Sequence, residues 1–388
     1  HPAESFETAF VQARAEYRRQ DQAIETHTEL SVSPEDDVEI RRVTLTNLSS
    51  RTRHIEMTSY AEVVMAPQNA DLAHRAFSNL FVTTEILPDR QAILCTRRRR
   101  TPEEHTPWLF HLFAAPGVDV SDPSFETDRA AFIGRGRTPA NPLALDAVNG
   151  PAALSNTAGS VLDPIVAIRR TVTLPPDASA TVQIISGVAE TREAALAVIE
   201  KYGDRHFVER AFEMAWFQSQ EVLRRLGASE ADAQIYGRLA TSVVFGNGLR
   251  RAAPSVIARN QLGQSGLWRF AVSGDLPIIL VRIGDMERID LVRQMLAAHA
   301  YWRMKGLASD LVIINEDFSG YRAVLHDRIM GLVNAGPEAA ILDKPGGVFV
   351  RRAEELSEED RVLFQTVARV VVTDSAETLA EQVERRAP

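Results

Sequence analysis

The feature that most constrains this chain is a change of hydrophobic period near Glu190. Before it, apolar residues recur at every second position; after it, they recur at helical spacing and then in strand–helix alternation. From about Tyr17 to Ser186 the pattern is that of antiparallel β-structure. Ile55, Met57, Ala61 and Val63 keep to alternate positions, as a half-buried strand requires. Val38 and Ile40 alternate, and the run resumes out of phase at Val43 and Leu45, which predicts a bulge across Arg41 and Arg42. Further strands are expected at Leu80–Ile86, Ala92–Thr96, Trp108–Ala114, Ile165–Leu174 and Thr181–Val188. The links between them are rich in Pro, Gly, Asn and Asp. Many short strands so joined point to a sandwich or barrel.

After Glu190, Thr191 caps a helix over Arg192–Tyr202. A second helix runs from Asp204 to Leu226 and directs Phe207, Ala211, Met214 and Trp216 to an apolar side. Gly227 stops it, and Ser229 opens a third through Ile235, Leu239 and Val243. From Leu276 onward strands and helices alternate. Strand-like runs are Leu276–Ile283, Asp310–Asn315, Ala339–Asp343, Val348–Val350 and Val370–Val372. Helices are expected over Ile289–Met304, Tyr321–Val333, Glu358–Ala368 and Ala376–Arg386. That spacing indicates an α/β module with a mostly parallel sheet. The fold class read from the pattern is multidomain α+β: an antiparallel β-sandwich over 1–190, a helical linker over 191–252 and the α/β module over 253–388.

Composition excludes some functions. The formal net charge is −9, which argues against nucleic-acid binding. The basic run Arg97–Arg100 reads as a solvated strand end. The single cysteine, Cys95, cannot form an intramolecular disulfide, lies in a strand-like run and reads as an inert core thiol. A cytoplasmic location is the expectation. No window is apolar enough to insert in a membrane, and no signal peptide is visible. The chain opens on His1, and an excised portion of something longer is expected.

Candidate chemistry centres on Gln264–Ile278, read QSGLWRFAVSGDLPI. Gly266 and Gly274 allow turns. Trp268 offers a flat apolar face, while Arg269 and Asp275 offer a donor and an acceptor, the combination a sugar site uses. The same trio also fits a packed domain junction with Arg269 and Asp275 paired. If the indole is buried, Trp268→Ala costs about 3–5 kcal/mol. Glu316 and Asp317 follow the strand DLVIIN at its carboxyl end, where α/β sheets place ligands; Asn315, Tyr321 and Arg322 could gather there. Asp317 or Ser319 could equally cap the next helix. Asp275 and Glu316 are the only weak candidates for an acid. Trp302 and Arg303 near the end of a helix could face a saccharide or simply continue an apolar stripe. Gly134–Arg135–Gly136–Arg137 could wrap an anion or form an exposed turn. Asn79, in a strand-like run, needs a partner, structural or ligand. The histidines lack metal spacing, and no cofactor motif is visible.

Several stretches resemble the carboxyl-terminal region of bacterial cyclic β-1,2-glucan synthases, a region related to family 94 glycoside phosphorylases. They include IETHTELSVSPEDDVEIRRVTLTN, SYAEVV, HRAFSNLFV, FIGRGRTP, VLDPIVAIRR, GVAETREAA, GQSGLWRFAVSGDLPI, AHAYWRMKGLASDLVIINED and KPGGVFVRRA. The resemblance covers most of the chain, and its motifs are specific in combination. It implies a super-sandwich, a helical linker and, in the phosphorylases, an (α/α)6 barrel. The first two agree with residues 1–252; the barrel does not agree with the strand–helix alternation that follows. No stretch matches the barrel's catalytic aspartate segment, so no catalytic residue is carried over.

The resemblance implies a carbohydrate-active assembly, a soluble part of an inner-membrane enzyme. Its partners would be β-1,2-glucan or glucose oligosaccharide and the parent enzyme's remaining domains. The expected role is a carbohydrate-binding and scaffolding segment, with Trp268, Arg269, Asp275, Trp302, Arg303, Glu316 and Arg322 as contacts. The alternatives are an active phosphorylase or transglycosylase portion using Asp275 or Glu316, and a spacer that binds nothing.

Overall fold

The computed structural model describes residues 3–99, 101, 103–146, 148–317, 324–374 and 377–384. The chain forms two compact units, His1–Ser219 and Gln220–Pro388.

The first unit is built on antiparallel pairing. Its strands are β1 (Ser5–Val11), β2 (Arg14–Asp21), β3 (Ile24–Val32), β4 (Val38–Asn47), β5 (Arg53–Thr58) and β6 (Ala61–Glu62). They continue with β7 (Val82–Leu87), β8 (Ala92–Arg97), β9 (Trp108–Ala114), β10 (Ser124–Asp128), β11 (Pro164–Leu174) and β12 (Ser179–Ala189). Eight of them form one sheet in the order β1-β2-β3-β4-β12-β9-β8-β7. A second sheet runs β10-β11-β5, with β6 also on β11. Helices α1 (Gln68–Asn79) and α2 (Arg129–Ile133) lie in connections, and α3 (Arg192–Gly203) and α4 (Arg205–Leu226) follow β12. Thr191 accepts from the Ala194 amide, as a cap should.

Strand β4 buries apolar residues on both faces of the large sheet, and this explains its phase slip. Its ladder with β3 and β12 runs without interruption from Val38 to Asn47, so the expected bulge is absent. Val43 and Leu45 face the second sheet, beside Phe113, Ile168 and Val182. Val38 and Ile40 face outward, beneath Tyr202, Val208 and Phe212. A change of covered face mimics a bulge when only the apolar positions are seen. Cys95 lies in the inner layer, and burial pushes its thiol up to about 12. On α4 the buried stripe opens with Val208, Ala211, Phe212 and Ala215, an i, i+3, i+4, i+7 set, and continues through Ser219 and Leu223. Phe207, Met214 and Trp216, expected on that side, are partly exposed. Asn79 ends α1 rather than sitting in a strand. It is buried, and its Nδ2 donates to Asp163 Oδ1 at 2.9 Å.

The second unit contains α5 (Glu230–Phe245), α6 (Pro254–Ile257), α7 (Ser265–Trp268), β13 (Ile278–Ile283), α8 (Ile289–Met304) and β14 (Asp310–Asn315). Beyond these come α9 (Val324–Ala335), β15 (Val348–Arg352), α10 (Glu358–Val367), β16 (Val370–Thr373) and α11 (Leu379–Glu384). The four strands are all parallel, in the order β15-β14-β13-β16. Helices cover both faces, which is why β13 and β14 read as continuous apolar runs. Tyr236, Leu239 and Val243 of α5 pack with α8, α9 and α11 on one face; Leu267, Leu363 and Phe364 of α7 and α10 pack on the other. The strand expected at Ala339–Asp343 is instead a 3-10 turn, Pro337–Ile341, opened by its proline; Leu342 alone bridges to Val348. No helix among the described residues is long and apolar enough to cross a membrane.

Candidate functional site

The parallel sheet divides the candidate residues between its two edges. At the carboxyl edge, β14 delivers Asn315 and then Glu316. Arg282, one residue from the end of β13, donates from Nε to Glu316 Oε1 at 2.8 Å and from Nη2 to Oε2 at 3.2 Å. This is the forked geometry that suits a guanidinium and a carboxylate. Asn315 Oδ1 accepts from the Asp317 amide at 2.9 Å. The amides of Gly284 and Asp285 donate to Asp374 Oδ2 at 2.7 and 2.9 Å. A Cβ at Gly284 would lie 3.2 Å from the Glu316 carbonyl oxygen, a tight approach. The helix after β14 packs on one face and the helix after β15 on the other. Neighbouring strands whose connections leave to opposite faces open a crevice at their carboxyl ends. His326 lies near this edge with Arg352, and burial followed by the Arg352 charge moves its pKa down. Tyr321 and Arg322 lie outside the described residues.

Helix α7 and the turn after it lead into the amino end of β13. Trp268 is 63% exposed, and its Nε1 donates to the Ser273 carbonyl at 3.3 Å. Gln264 Nε2 donates to the same carbonyl at 2.8 Å and to Asp275 Oδ1 at 3.0 Å. Gly274 supplies the left-handed turn between them, with φ +76°. Arg269 pairs with the buried Asp360, which also accepts from the Ser357 amide and hydroxyl in the cap of α10. Arg269 and Asp275 thus have separate partners. Helix α7 and its turn present an indole face flanked by a carboxylate and an amide, groups suited to a sugar ring and its hydroxyls.

Helix α8 ends at the amino edge, before β14, but its tryptophan is not at the surface. Trp302 is 2% exposed and donates from Nε1 to the Tyr236 carbonyl at 2.8 Å. Its faces are packed in the core, so no sugar can stack on it. Arg303 donates to Glu338 Oε1 at 3.2 Å, and Glu338 Oε2 lies 3.1 Å from His299 Nδ1. His299 Nε2 is 2.8 Å from the Ser309 carbonyl; a carbonyl only accepts, so this nitrogen carries hydrogen. Asp310 accepts from the Gly346 amide at 2.7 Å, yet burial moves its pKa up. His299 is the satisfied helix histidine that its place beside Tyr301 and Trp302 suggests, whereas Arg282 and Glu338 escaped the sequence reading. A lone Arg in IILVRI and a leading Asp in DLVIIN were the available signals, since buried charges need partners.

Asp275 precedes β13 and Glu316 follows β14. A six-residue strand separates the two edges by roughly 16 Å. Glycosidic carboxylate pairs stand about 5–9.5 Å apart, so these two cannot flank one bond. Gly134–Arg137 is a turn with positive φ at Gly134 and Gly136. Arg137 is paired to Asp146 at 2.6 Å, and backbone amides and that guanidinium hold the Asp146 carboxyl well below the usual range.

Residues 1–205 match the family model described as glycosyl hydrolase 94, supersandwich domain. The chain belongs to that family. Within family 94 its first unit supplies the supersandwich. Over 385 residues, 99% of its length, the chain is 31% identical to "Cyclic beta-(1,2)-glucan synthase NdvB" of Rhizobium meliloti (strain 1021), of which it covers 14%. It is 30% identical over 171 residues to "Solabiose phosphorylase" of Paenibacillus borealis, covering 44% of this chain and 20% of that one. The chain therefore spans a seventh to a fifth of the curated relatives it matches. Among solved structures, a putative kojibiose phosphorylase from the human microbiome aligns with 64% of this chain and 29% of its own, at 10% identity and a TM-score of 0.33.

Proposed function

We propose that this chain is a carbohydrate-binding and scaffolding segment of a bacterial cyclic β-1,2-glucan synthase. The observation that carries the proposal is the similarity to such a synthase along 99% of the chain, through the α/β unit as well as the supersandwich. The chemistry of the candidate residues agrees with binding rather than turnover. Both Glu316 oxygens are engaged by Arg282, and Asp275 is held by Gln264 at the opposite edge of the sheet. Neither is set to protonate a leaving oxygen across from a second carboxylate. Trp268 is the platform in this reading, with Asp275 and Gln264 reaching sugar hydroxyls and Arg269 holding α7 against α10. The partners are β-1,2-glucan or a related glucose oligosaccharide and the remaining domains of the parent enzyme.

Calorimetric titration with linear β-1,2-gluco-oligosaccharides tests this. Saturable binding is expected, weakened about tenfold by Trp268→Ala, as loss of an aromatic stacking contact implies. Absence of heat with both linear and cyclic glucans would overturn it.

A further inference from the structure

The outer face of the large sheet is only partly covered by helices. Near the Val38 end of β4 it is apolar and buried against α3 and α4. Farther along the same strands the same face becomes polar. One cross-strand row reads Glu29 on β3, Arg42 on β4 and Gln183 on β12. The next pairs Thr44 with Thr181, their hydroxyls 2.9 Å apart, and the one beyond pairs Thr46 with Ser179, also at 2.9 Å. A cavity of about 240 Å³ lies over the first two rows, closed on one side by Arg205, Val208 and Glu209 of α4. A second, of about 400 Å³, shares Thr181, Gln183 and Arg205 with it, so the two form one groove. Small-molecule sites commonly enclose about 300–1,000 Å³.

The charges in this groove are matched. Arg42 donates to Glu29 at 2.8 Å and is stacked on the Phe212 ring at 4.4 Å; Arg205 donates to Glu209 at 2.7 Å. Each cation has its own anion, which leaves little to attract a phosphate or a carboxylate. Gln183 does not share this balance. It is 2% exposed, and its buried Oε1 has no hydrogen-bond partner among the described residues. A buried amide oxygen left unmade is costly, and it is an acceptor awaiting an O–H or N–H donor. An unsatisfied acceptor, hydroxyl pairs and neutralised charges in an elongated groove suit a polyhydroxylated, uncharged ligand.

We infer that this groove is a second binding site, for a neutral oligosaccharide, with Gln183 accepting from a sugar hydroxyl and Arg205 and Thr181 donating along it. It lies in the supersandwich unit, separate from Trp268, and rests on the function proposed above only for the identity of the sugar. The whole chain is titrated calorimetrically with the β-1,2-linked glucose tetrasaccharide, cellotetraose and maltotetraose. At least one is expected to bind, with affinity reduced about tenfold by Gln183→Leu, the scale expected for one lost polar contact. Because Gln183 is buried, Arg205→Ala serves as the companion variant. Its side chain is 70% exposed, so folding is preserved, and a similar loss is expected. Binding that is lost only in Trp268→Ala overturns the groove and leaves the Trp268 platform intact. Cellotetraose or maltotetraose binding that is sensitive to Gln183→Leu, without β-1,2-glucan binding, upholds the groove and overturns the sugar assigned to the chain. No binding by any of the three, or binding unchanged in both groove variants, overturns the groove.

Discussion

His111 joins the two sheets of the supersandwich through single hydrogen bonds, Nδ1 with Ser186 Oγ and Nε2 with Ser59 Oγ, each at 2.8 Å. Burial, with a smaller push from the Arg41 charge, lowers its pKa to about 4. An unfolded imidazole titrates near 6.5, so between these values the unfolded chain binds the extra proton. Its contribution is complete above about pH 6.5 and is lost as pH falls toward 4, about 3 kcal/mol in all. Urea midpoints of the native protein should drop over that interval, and in His111→Gln much of the drop should vanish. Trp302 and Trp268 divide between core and surface. Trp302→Ala is expected to cost about 3–5 kcal/mol, because the indole fills the core and its N–H is satisfied there. Trp268→Ala should change stability by no more than about 0.5 kcal/mol, because the side chain is exposed. Denaturant titration of both variants checks the pair. Residue types were legible in the sequence, since both tryptophans stood out as candidate ring platforms. Their exposure was not, because it depends on which elements pack over α7 and α8.

Elements were legible where local pattern and packing agree. Helix α8 and strand β14 fall where periodicity places them, and the caps of α3 and α5 use the expected Thr191 and Ser229. The pattern misleads where an element has two covered faces, as in β4, or where large side chains draw the eye from the true helical stripe, as in α4. The close packing that results has a specific consequence in β12. A Cβ on Gly187 would lie 2.5 Å from the Phe110 ring and 2.7 Å from the Asp37 carbonyl oxygen. Gly187→Ala should therefore destabilise by about 1–3 kcal/mol through overpacking. Gly203, at the end of α3, has nothing within 4 Å of its Cβ position, so Gly203→Ala should be neutral or slightly stabilising. Thermal unfolding of the two variants side by side separates crowding from a general effect of removing glycine.

At the scale of the molecule, the succession of antiparallel strands, helices and a parallel α/β unit was readable from period alone, because each architecture demands its own spacing. The arrangement of candidate residues was not. Strand order decides it, and strand order leaves no local trace: Asp275 stands at the amino edge of the sheet and Glu316 at the carboxyl edge, Arg269 pairs with Asp360 in the first turn of α10, and Trp302 is enclosed. That separation underlies the view of this family 94 chain as one that holds glucan without cleaving it. The most direct test is calorimetric titration of the chain with linear β-1,2-gluco-oligosaccharides in phosphate buffer. The expected record is a saturable heat of binding that returns to baseline after each injection. Heat that continues at a steady rate while substrate lasts, or no heat at all, would contradict it.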